Sequence, residues 1–542
     1  MQTNNGNKFF ILGITLVATL GGLLFGYDTA VISGAVGSLE AFFISPLLTN
    51  PELAQKVIIE YKVAVTICLL IILLMISSFL FRLYGKKKGY LISLIIFVIA
   101  GTIFYFRFLE MPNILTNNIA NSINGFTISS ALIGCIIGGG IGGYVSQTIG
   151  RKSGLLLAAF MFLISAIGSA IPEKLNFIGS EIISSFIFYR VVGGIGVGIA
   201  SMLSPMYIAE IAPAQIRGKL VSWNQFAIIF GMLVVYFVNY FIAKGQSPEW
   251  LNQTGWRWMF ASETIPALLF FGLLFTVPET PRFLVMKEKA GAAEDVLTKL
   301  SGKERAQKVV EDIKKSLEVK NAPWLHFGGL VVIIGILLSV FQQFVGINVV
   351  LYYAPEIFRN MGSDVDASLL QTIIVGAVNL TFTVLAILTV DKFGRKPLQI
   401  IGASGMAISM FALGFMFYFN SSPQDLGVIS IIPMITYTAS FAMSWGPVTW
   451  VLLSEIFPNS IRGVMSIAVA AQWVANLMVS WTFPMLNKND FLTEHFNHGF
   501  AYWIYGIMGI LAAIFVWKVI PETKGRQLED MEQLWLKTKK KE

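Results

Sequence analysis

Long apolar runs separated by short polar breaks repeat along the whole chain. A membrane-spanning helix needs roughly 20 mostly apolar residues. Fourteen runs reach or approach that length, at about 9–38, 57–81, 90–108, 126–147, 154–172, 182–207, 219–243, 258–277, 325–353, 368–390, 397–419, 427–453, 464–486 and 500–519. None shows the strand-length alternation of an outer-membrane barrel, so the pattern predicts helices. The first run passes straight into Gly26-Tyr27-Asp28 with no small-residue cleavage site, and reads as a span rather than a signal peptide. The longest polar stretch, 281–323, carries Ala293, Val296, Leu297 and Leu300 at helical spacing, which predicts short amphipathic helices.

Composition sharpens this pattern. The 542 residues are 55% hydrophobic and 13% charged, with mean hydropathy +0.70. A soluble chain carries about 25% charged residues, so this one cannot cover a water-facing surface of its size. Cys68 and Cys135 both lie inside apolar runs and give no disulfide framework. His326, His495 and His498 form no metal-ligand cluster, and no Walker A sequence supports ATP-driven transport. Gly138-Gly-Gly140-Ile-Gly-Gly143 matches a dinucleotide fingerprint in letters only, because no strand precedes it; close helix packing is the better reading. No enzyme, cofactor or metal site is expected.

The charges set an orientation. With both termini inside, the inner segments hold 30 of the 39 Lys and Arg, and the outer loops hold seven. Positive-inside bias therefore predicts cytoplasmic N- and C-termini. The net charge of +8 reflects that topology, and no basic domain for nucleic acid is present.

Three short motifs recur at one offset. Pro278-Glu279-Thr280 returns as Pro521-Glu522-Thr523, 243 residues on. Glu210 to Gly218 returns as Glu455 to Gly463, 245 residues on, and Gly150-Arg151-Lys152 returns as Gly394-Arg395-Lys396, 244 residues on. The chain is thus two similar halves, the plan of major facilitator transporters. The expected fold is an all-α polytopic membrane protein of two six-helix bundles related by a pseudo-two-fold axis. Residues 1–280 form the first bundle, 281–323 a cytoplasmic helical linker, 324–520 the second bundle and 521–542 a cytoplasmic tail. Two runs exceed that plan, and they predict an extra two-helix hairpin within about 45–118, after the first span. It reads either as a docking or regulatory hairpin or as a peripheral lipid-facing pair. Few polar groups beyond Ser77 and Ser78 favour the second.

Charge within a span is costly, about 2.5–3.5 kcal/mol on insertion scales. Asp28 and Arg190 stand out as the two deep charges, and one acid with one base suggests a pair. Separation of such a pair in a low-dielectric site favours proton uptake by the acid. Gln225, Gln342, Gln343, Asn348, Asn379, Gln472 and Asn476 supply amides, while Tyr352, Trp445, Trp450 and Trp473 supply aromatic faces. Amides donate and accept, as sugar hydroxyls do, so the mixture suits a neutral polyol. In an unbroken helix Gln342, Gln343 and Asn348 point about 0°, 100° and 240° around the axis. They converge only if the helix breaks, and Gly346 is where a break costs least.

The motifs Gly142-Gly143, Gly150-Arg151-Lys152, Asp391 to Lys396, Pro278 to Arg282, Phe341 to Tyr353 and Pro521 to Gly525 resemble the signatures of the sugar porter family. The resemblance covers nearly the whole chain apart from the insertion. It implies alternating access in the cell inner membrane, with proton-coupled symport of a monosaccharide, foremost D-xylose. It implies sugar-binding groups at Gln225, Gln342, Gln343, Asn348, Trp450 and Gln472, lined by Phe25, Tyr352, Asn379, Gly446 and Trp473. It implies Asp28 as the protonation site with Arg190 as partner; facilitative relatives are uncharged at the Asp28 position. It implies a cytoplasmic charge network of Arg151, Glu210, Arg217, Glu279, Arg395, Glu455 and Arg462 that closes the outward-facing state, and function as a monomer in the bilayer. Met232 stands where xylose-carrying relatives have a glutamine, which marks it as a specificity candidate. Symport of another sugar (arabinose, galactose or glucose), sugar uniport and non-transporting sugar sensing are the alternatives.

Overall fold

The computed structural model describes residues 8–176, 179–213, 216–317, 322–419, 429–457, 459–524, 531 and 535–536. The Arg462 side chain and most of the tail after Lys524 lie outside the described residues. The first half contains α1 (Lys8–Leu39), α2 (Pro51–Phe104), α3 (Asn117–Thr148), α4 (Arg151–Ala170), α5 (Ile182–Ile211), α6 (Arg217–Ala243), α7 (Trp256–Ser262) and α8 (Thr264–Leu274). Three short helices follow, α9 (Pro281–Met286), α10 (Ala290–Ser301) and α11 (Lys303–Leu317). The second half contains α12 (Leu330–Phe344), α13 (Ile347–Asn360), α14 (Val365–Phe393), α15 (Arg395–Phe419), α16 (Ile431–Met443), α17 (Pro447–Ile456), α18 (Met465–Asn487) and α19 (Phe500–Val519). No strand occurs among the described residues.

Eleven helical stretches among the described residues are long and apolar enough to cross a membrane. Twelve of the fourteen apolar runs map onto these eleven stretches, and the other two fall outside them because each is divided between shorter helices. The runs 57–81 and 90–108 share α2. The run 258–277 is divided between α7 and α8, where Pro266 lacks the N–H that would bond back to Ser262. The run 427–453 is divided between α16 and α17, where Ser444, Gly446 and Pro447 interrupt the ladder.

Two helix contacts of the first half need glycine. A Cβ on Gly26 of α1 would run into the Ile228 carbonyl of α6, and one on Gly194 of α5 into the Ala131 carbonyl of α3. Small residues let backbones approach this closely, and the gain is dispersion along the whole contact. The linker helices form a separate small core of Val285, Ala293, Leu297, Ala306 and Val310, which agrees with the amphipathic spacing read at 293–300.

Gly85 breaks α2 with φ 78° and ψ 169°. Residues with a Cβ rarely adopt that conformation. Beyond it the chain reverses. Gly89 lies against Leu80 and Phe81, and Lys62 Nζ donates to the Leu109 and Met111 carbonyls. The first arm differs from a peripheral lipid-facing element. Tyr61 shares a 2.8 Å hydrogen bond with Ser122 of α3, and its ring meets Phe126 at 5.4 Å. Glu60 accepts from Glu181 N and the Ser184 hydroxyl at the start of α5. The second arm exposes Leu91, Leu94, Ile95, Val98 and Ile99, as a lipid-facing element does.

Candidate functional site

Gly346 ends one helix and starts the next. It takes the left-handed conformation, φ 92° and ψ 19°, between α12 and α13. A side chain there would also collide with the Tyr505 ring. The break turns Gln342, Gln343 and Asn348 onto a common surface. Gln342 Nε2 donates to the Trp445 carbonyl at 2.7 Å. Asn348 Nδ2 donates to Gln343 Oε1 at 2.5 Å, and all three amides are at least nine-tenths buried. Amides that bond one another hold fixed orientations and keep free positions for a ligand.

This surface is one wall of a cavity of about 2600 Å³ between the halves. The second half contributes Gln342, Gln343, Asn348, Tyr352, Asn379, Gly446, Trp450, Gln472 and Trp473. The first half contributes Phe25, Gln225 and Met232. All twelve sequence-derived site and specificity residues therefore line one cavity. Phe25 meets Trp473 across it with ring centroids 5.8 Å apart. Gln472 Oε1 has no protein partner among the described residues. Asn224, Thr383 and Asn476 also line the cavity. The chemistry of this wall, amides and aromatic faces, matches a neutral polyhydroxylated solute. The cavity extends to the end of the bundle that carries Gln147, Lys219, Ser222 and Arg395.

Asp28 and Arg190 form the expected pair. Arg190 Nη1 donates to Asp28 Oδ1 at 2.7 Å, and Nη2 donates to the Asp28 carbonyl at 2.9 Å. The guanidinium also lies over the Phe260 ring at 5.2 Å. Both residues are at most 1% exposed. Neither lines the cavity; Phe25 and Thr29, on the same helix as Asp28, do. The sequence reading counted two deep charges, and the structure adds a third. Glu263 is fully buried and interacts electrostatically with both Asp28 and Arg190. Among the described residues, Asp28 Oδ2 and both Glu263 oxygens accept from no protein donor. Arg190 is ion-paired with Asp28, and Glu263 adds a second carboxyl group beside that pair. A carboxylate six residues into the apolar run 258–277 was the available signal for Glu263.

The repeated motifs build the same device in each half. The N-terminus of α4 begins at Gly150 with no side-chain cap of its own. Glu279 supplies one from 128 residues away, accepting from Arg151 N at 3.1 Å and Lys152 N at 3.1 Å. Arg151 then pairs with Glu210 at 2.8 Å, and Thr280 Oγ1 donates to the other Glu210 oxygen. In the second half Glu522 caps α15 through Arg395 N and Lys396 N, Arg395 pairs with Glu455 at 2.8 Å, and Thr523 donates to Glu455. Each pair stays within its own half. Arg217 is exposed. Glu522 and Thr523 belong with this network, although the sequence reading used them only as repeat markers.

The opposite end is closed by contacts between halves that sequence spacing does not reveal. Lys488 after α18 bridges Glu40 of the first half at 2.5 Å and Glu356 of the second at 2.8 Å. Burial lowers the Lys488 ammonium pKa, but the two carboxylates outweigh burial and hold it above the ordinary lysine value. Asn121 donates to the Lys488 carbonyl, Asn489 to Asn118, and Trp481 Nε1 to the Ser122 carbonyl.

The comparisons agree with this architecture. The D-xylose-proton symporter of Escherichia coli K12 is 53% identical over 98% of this chain and 96% of its own length. The inward open conformation of the xylose transporter XylE from E. coli matches with TM-score 0.76 at 52% identity, over 97% of this chain and all of that one. The same transporter bound to 6-bromo-6-deoxy-D-glucose matches with TM-score 0.71, over 98% of this chain and all of that one. The model of the sugar (and other) transporter family matches residues 14–116 and 108–535, which span both halves, the cavity and the ion pair. With its doubled half, its broken helix at Gly346 and that match, the chain belongs to the sugar (and other) transporter family.

Proposed function

We propose that this protein is a proton-coupled monosaccharide symporter, with D-xylose as its sugar, working by alternating access in an inner membrane. The observation that carries the reading is the buried Asp28–Arg190–Glu263 cluster behind an amide-lined cavity. The 53% identity to a D-xylose-proton symporter supports both the sugar and the coupling. Gln225, Gln342, Gln343, Asn348, Trp450 and Gln472 would hold the sugar, with the other lining residues around it. The bundles 1–280 and 324–520 would rock about the cavity, with linker, tail and both termini cytoplasmic, in a monomer.

The cavity reaches the basic end while Lys488 bridges the halves at the other, which supports reading this conformation as the inward-open one. The network of Arg151, Glu210, Arg217, Glu279, Arg395, Glu455 and Arg462 would join the halves when that end closes. Protonation of Asp28 removes the charge that holds Arg190. The pair loosens, and the balance between states shifts. Coupling is then a difference in affinity between conformations, and needs no covalent step.

The test is uptake of labelled xylose into proteoliposomes with and without an imposed proton gradient. Accumulation above equilibrium that requires the gradient is expected, with alkalinisation outside on sugar addition. Equilibration without accumulation identifies a uniporter. Binding without uptake identifies a sensor.

A further inference from the structure

The first arm of α2 presents one continuous stripe with two different fates. Ala54, Ile58, Tyr61, Val65 and Cys68 repeat at spacings of four, three, four and three, and all are at most 5% exposed. That spacing is the seam of a helix packed along its length. The same face continues through Met75, Phe79 and Arg82, but these residues line the cavity. The opposite face exposes Val63, Ile67, Leu70 and Leu74, with Leu74 63% exposed.

The neighbours explain the change. At one end α3 and α18 are in contact: the Trp481 indole bonds Ser122, and the Tyr61 ring lies 6.4 Å from Trp481. Towards the basic end both helices become cavity wall, through Ile136, Gly140 and Tyr144 of α3 and Ser466, Val469 and Ala470 of α18. The arm runs along this widening gap. Its last turn reaches the second half, where Arg82 lies 5.3 Å from the Trp324 ring and Phe79 6.4 Å from it. Trp324 in turn sits against Gly463, just before α18.

We infer that the first arm of α2 is a wall of the sugar's inward vestibule. It seals the gap between α3 and α18 against lipid. It also latches the two halves through Arg82 and Trp324 while the basic end is open. The arm travels with the first half, to which Tyr61 and Glu60 fix it. Closure of the basic end requires Trp324 to move relative to Arg82, so the contact belongs to one state. This inference rests on the inward-open reading of the conformation, and not on which sugar is carried.

Thiolate attacks the maleimide double bond, and it forms only where water reaches the sulfur. In inside-out membrane vesicles Met75→Cys should react with a membrane-impermeant maleimide at least about tenfold faster than Leu74→Cys, its lipid-facing neighbour. The native thiols Cys68 and Cys135 are buried and set the background. Ser78→Cys, a one-atom change on the cavity-lining face, gives the same reading if Met75→Cys fails to fold. Adding Arg82→Ala should slow Met75→Cys labelling about two- to fivefold, the effect of losing one exposed cation–π contact. Equal labelling of the cavity-face and lipid-face cysteines overturns the wall. Unchanged labelling with Arg82→Ala overturns the latch. Sugar uptake by the same cysteine variants, measured in parallel, separates these outcomes from a failure of the symport reading.

Discussion

Glu279 Oε1 accepts the backbone N–H of Arg151 at 3.1 Å, and Glu522 Oε1 accepts that of Arg395 at 3.2 Å, so the two carboxylates cap equivalent helices in the two halves. Their acidities nevertheless diverge. Burial pushes Glu279 above the usual carboxylate value, against the N–H groups of Thr280, Lys152 and Arg151 and the Arg151 charge. Burial also opposes ionisation of Glu522, but the N–H groups of Lys524, Arg395, Lys396 and Thr523 outweigh it and hold Glu522 low.

The signs of their pH effects follow by linkage. Glu522, depressed, adds stability above its unfolded value, and that contribution is lost as pH falls through its folded value. Glu279, raised, contributes most below its unfolded value, and loses that contribution as pH rises through its folded value. Glu522→Gln should therefore cost more apparent Tm at pH 7 than at pH 4. Glu279→Gln should cost less at pH 7 than at pH 4. Thermal unfolding of both variants in detergent across that range checks the opposite trends.

Asp28→Asn should abolish uphill accumulation while sugar exchange continues. The amide cannot exchange a proton, and its carbonyl still accepts from Arg190. Paired assays of accumulation and counterflow in proteoliposomes give the answer. Accumulation by the variant would refute Asp28 as the coupling group.

Gln342→Ala should weaken xylose binding. The loss of a hydrogen-bonding group in a partly dry site costs about 1–3 kcal/mol, or roughly 5- to 150-fold in Kd. The change also frees the Trp445 carbonyl, which Gln342 now satisfies. Titration calorimetry with xylose measures it.

Met232 is 9% exposed and lines the cavity one face-repeat after Gln225. Met232→Gln adds a donor and an acceptor there. It should tighten xylose by about 0.5–1.5 kcal/mol, or roughly 2- to 12-fold, relative to glucose. Competition between the two labelled sugars reads the ratio directly.

Lys488→Met should shift the population toward opening at the end opposite the basic one. The variant loses the bridge to Glu40 across the halves and leaves Glu40 and Glu356 facing each other. Pulsed electron spin distances across that end should lengthen in the variant, and stay short with Glu40→Gln added to relieve the repulsion.

Much of this arrangement was legible before any coordinates. The repeat offset marked the motifs that build both helix caps, though not the capping itself, because equivalent motifs fold into equivalent devices. Gly346 announced the helix break, since only a break brings Gln342, Gln343 and Asn348 together. Asp28 and Arg190 were visible because charge is scarce in apolar runs. Glu263 carried the same signal but lies only six residues past Arg257, near one end of its run, and its partners lie on α1 and α5. Lys488 and Glu40 are 448 residues apart, so no local pattern joins them. The second arm of α2 fits the lipid-facing reading and the first arm departs from it on one face: an apolar helix face reads alike whether it meets lipid, protein or a cavity.

The glycine contacts of the first half would determine which helices separate on opening of the proposed coupling pair. Gly26 and Gly231 weld α1 to α6 backbone to backbone, and Gly134 and Gly194 weld α3 to α5 in the same way. Slippage within either weld would drive main chain into main chain. Asp28 belongs to the first weld and Arg190 to the second, so their ion pair is a rivet across the seam between two stiff plates. Under the proposed coupling, a proton that loosens the rivet would leave both plates intact and free only their mutual tilt, so the bundle would flex at this seam as it rocks.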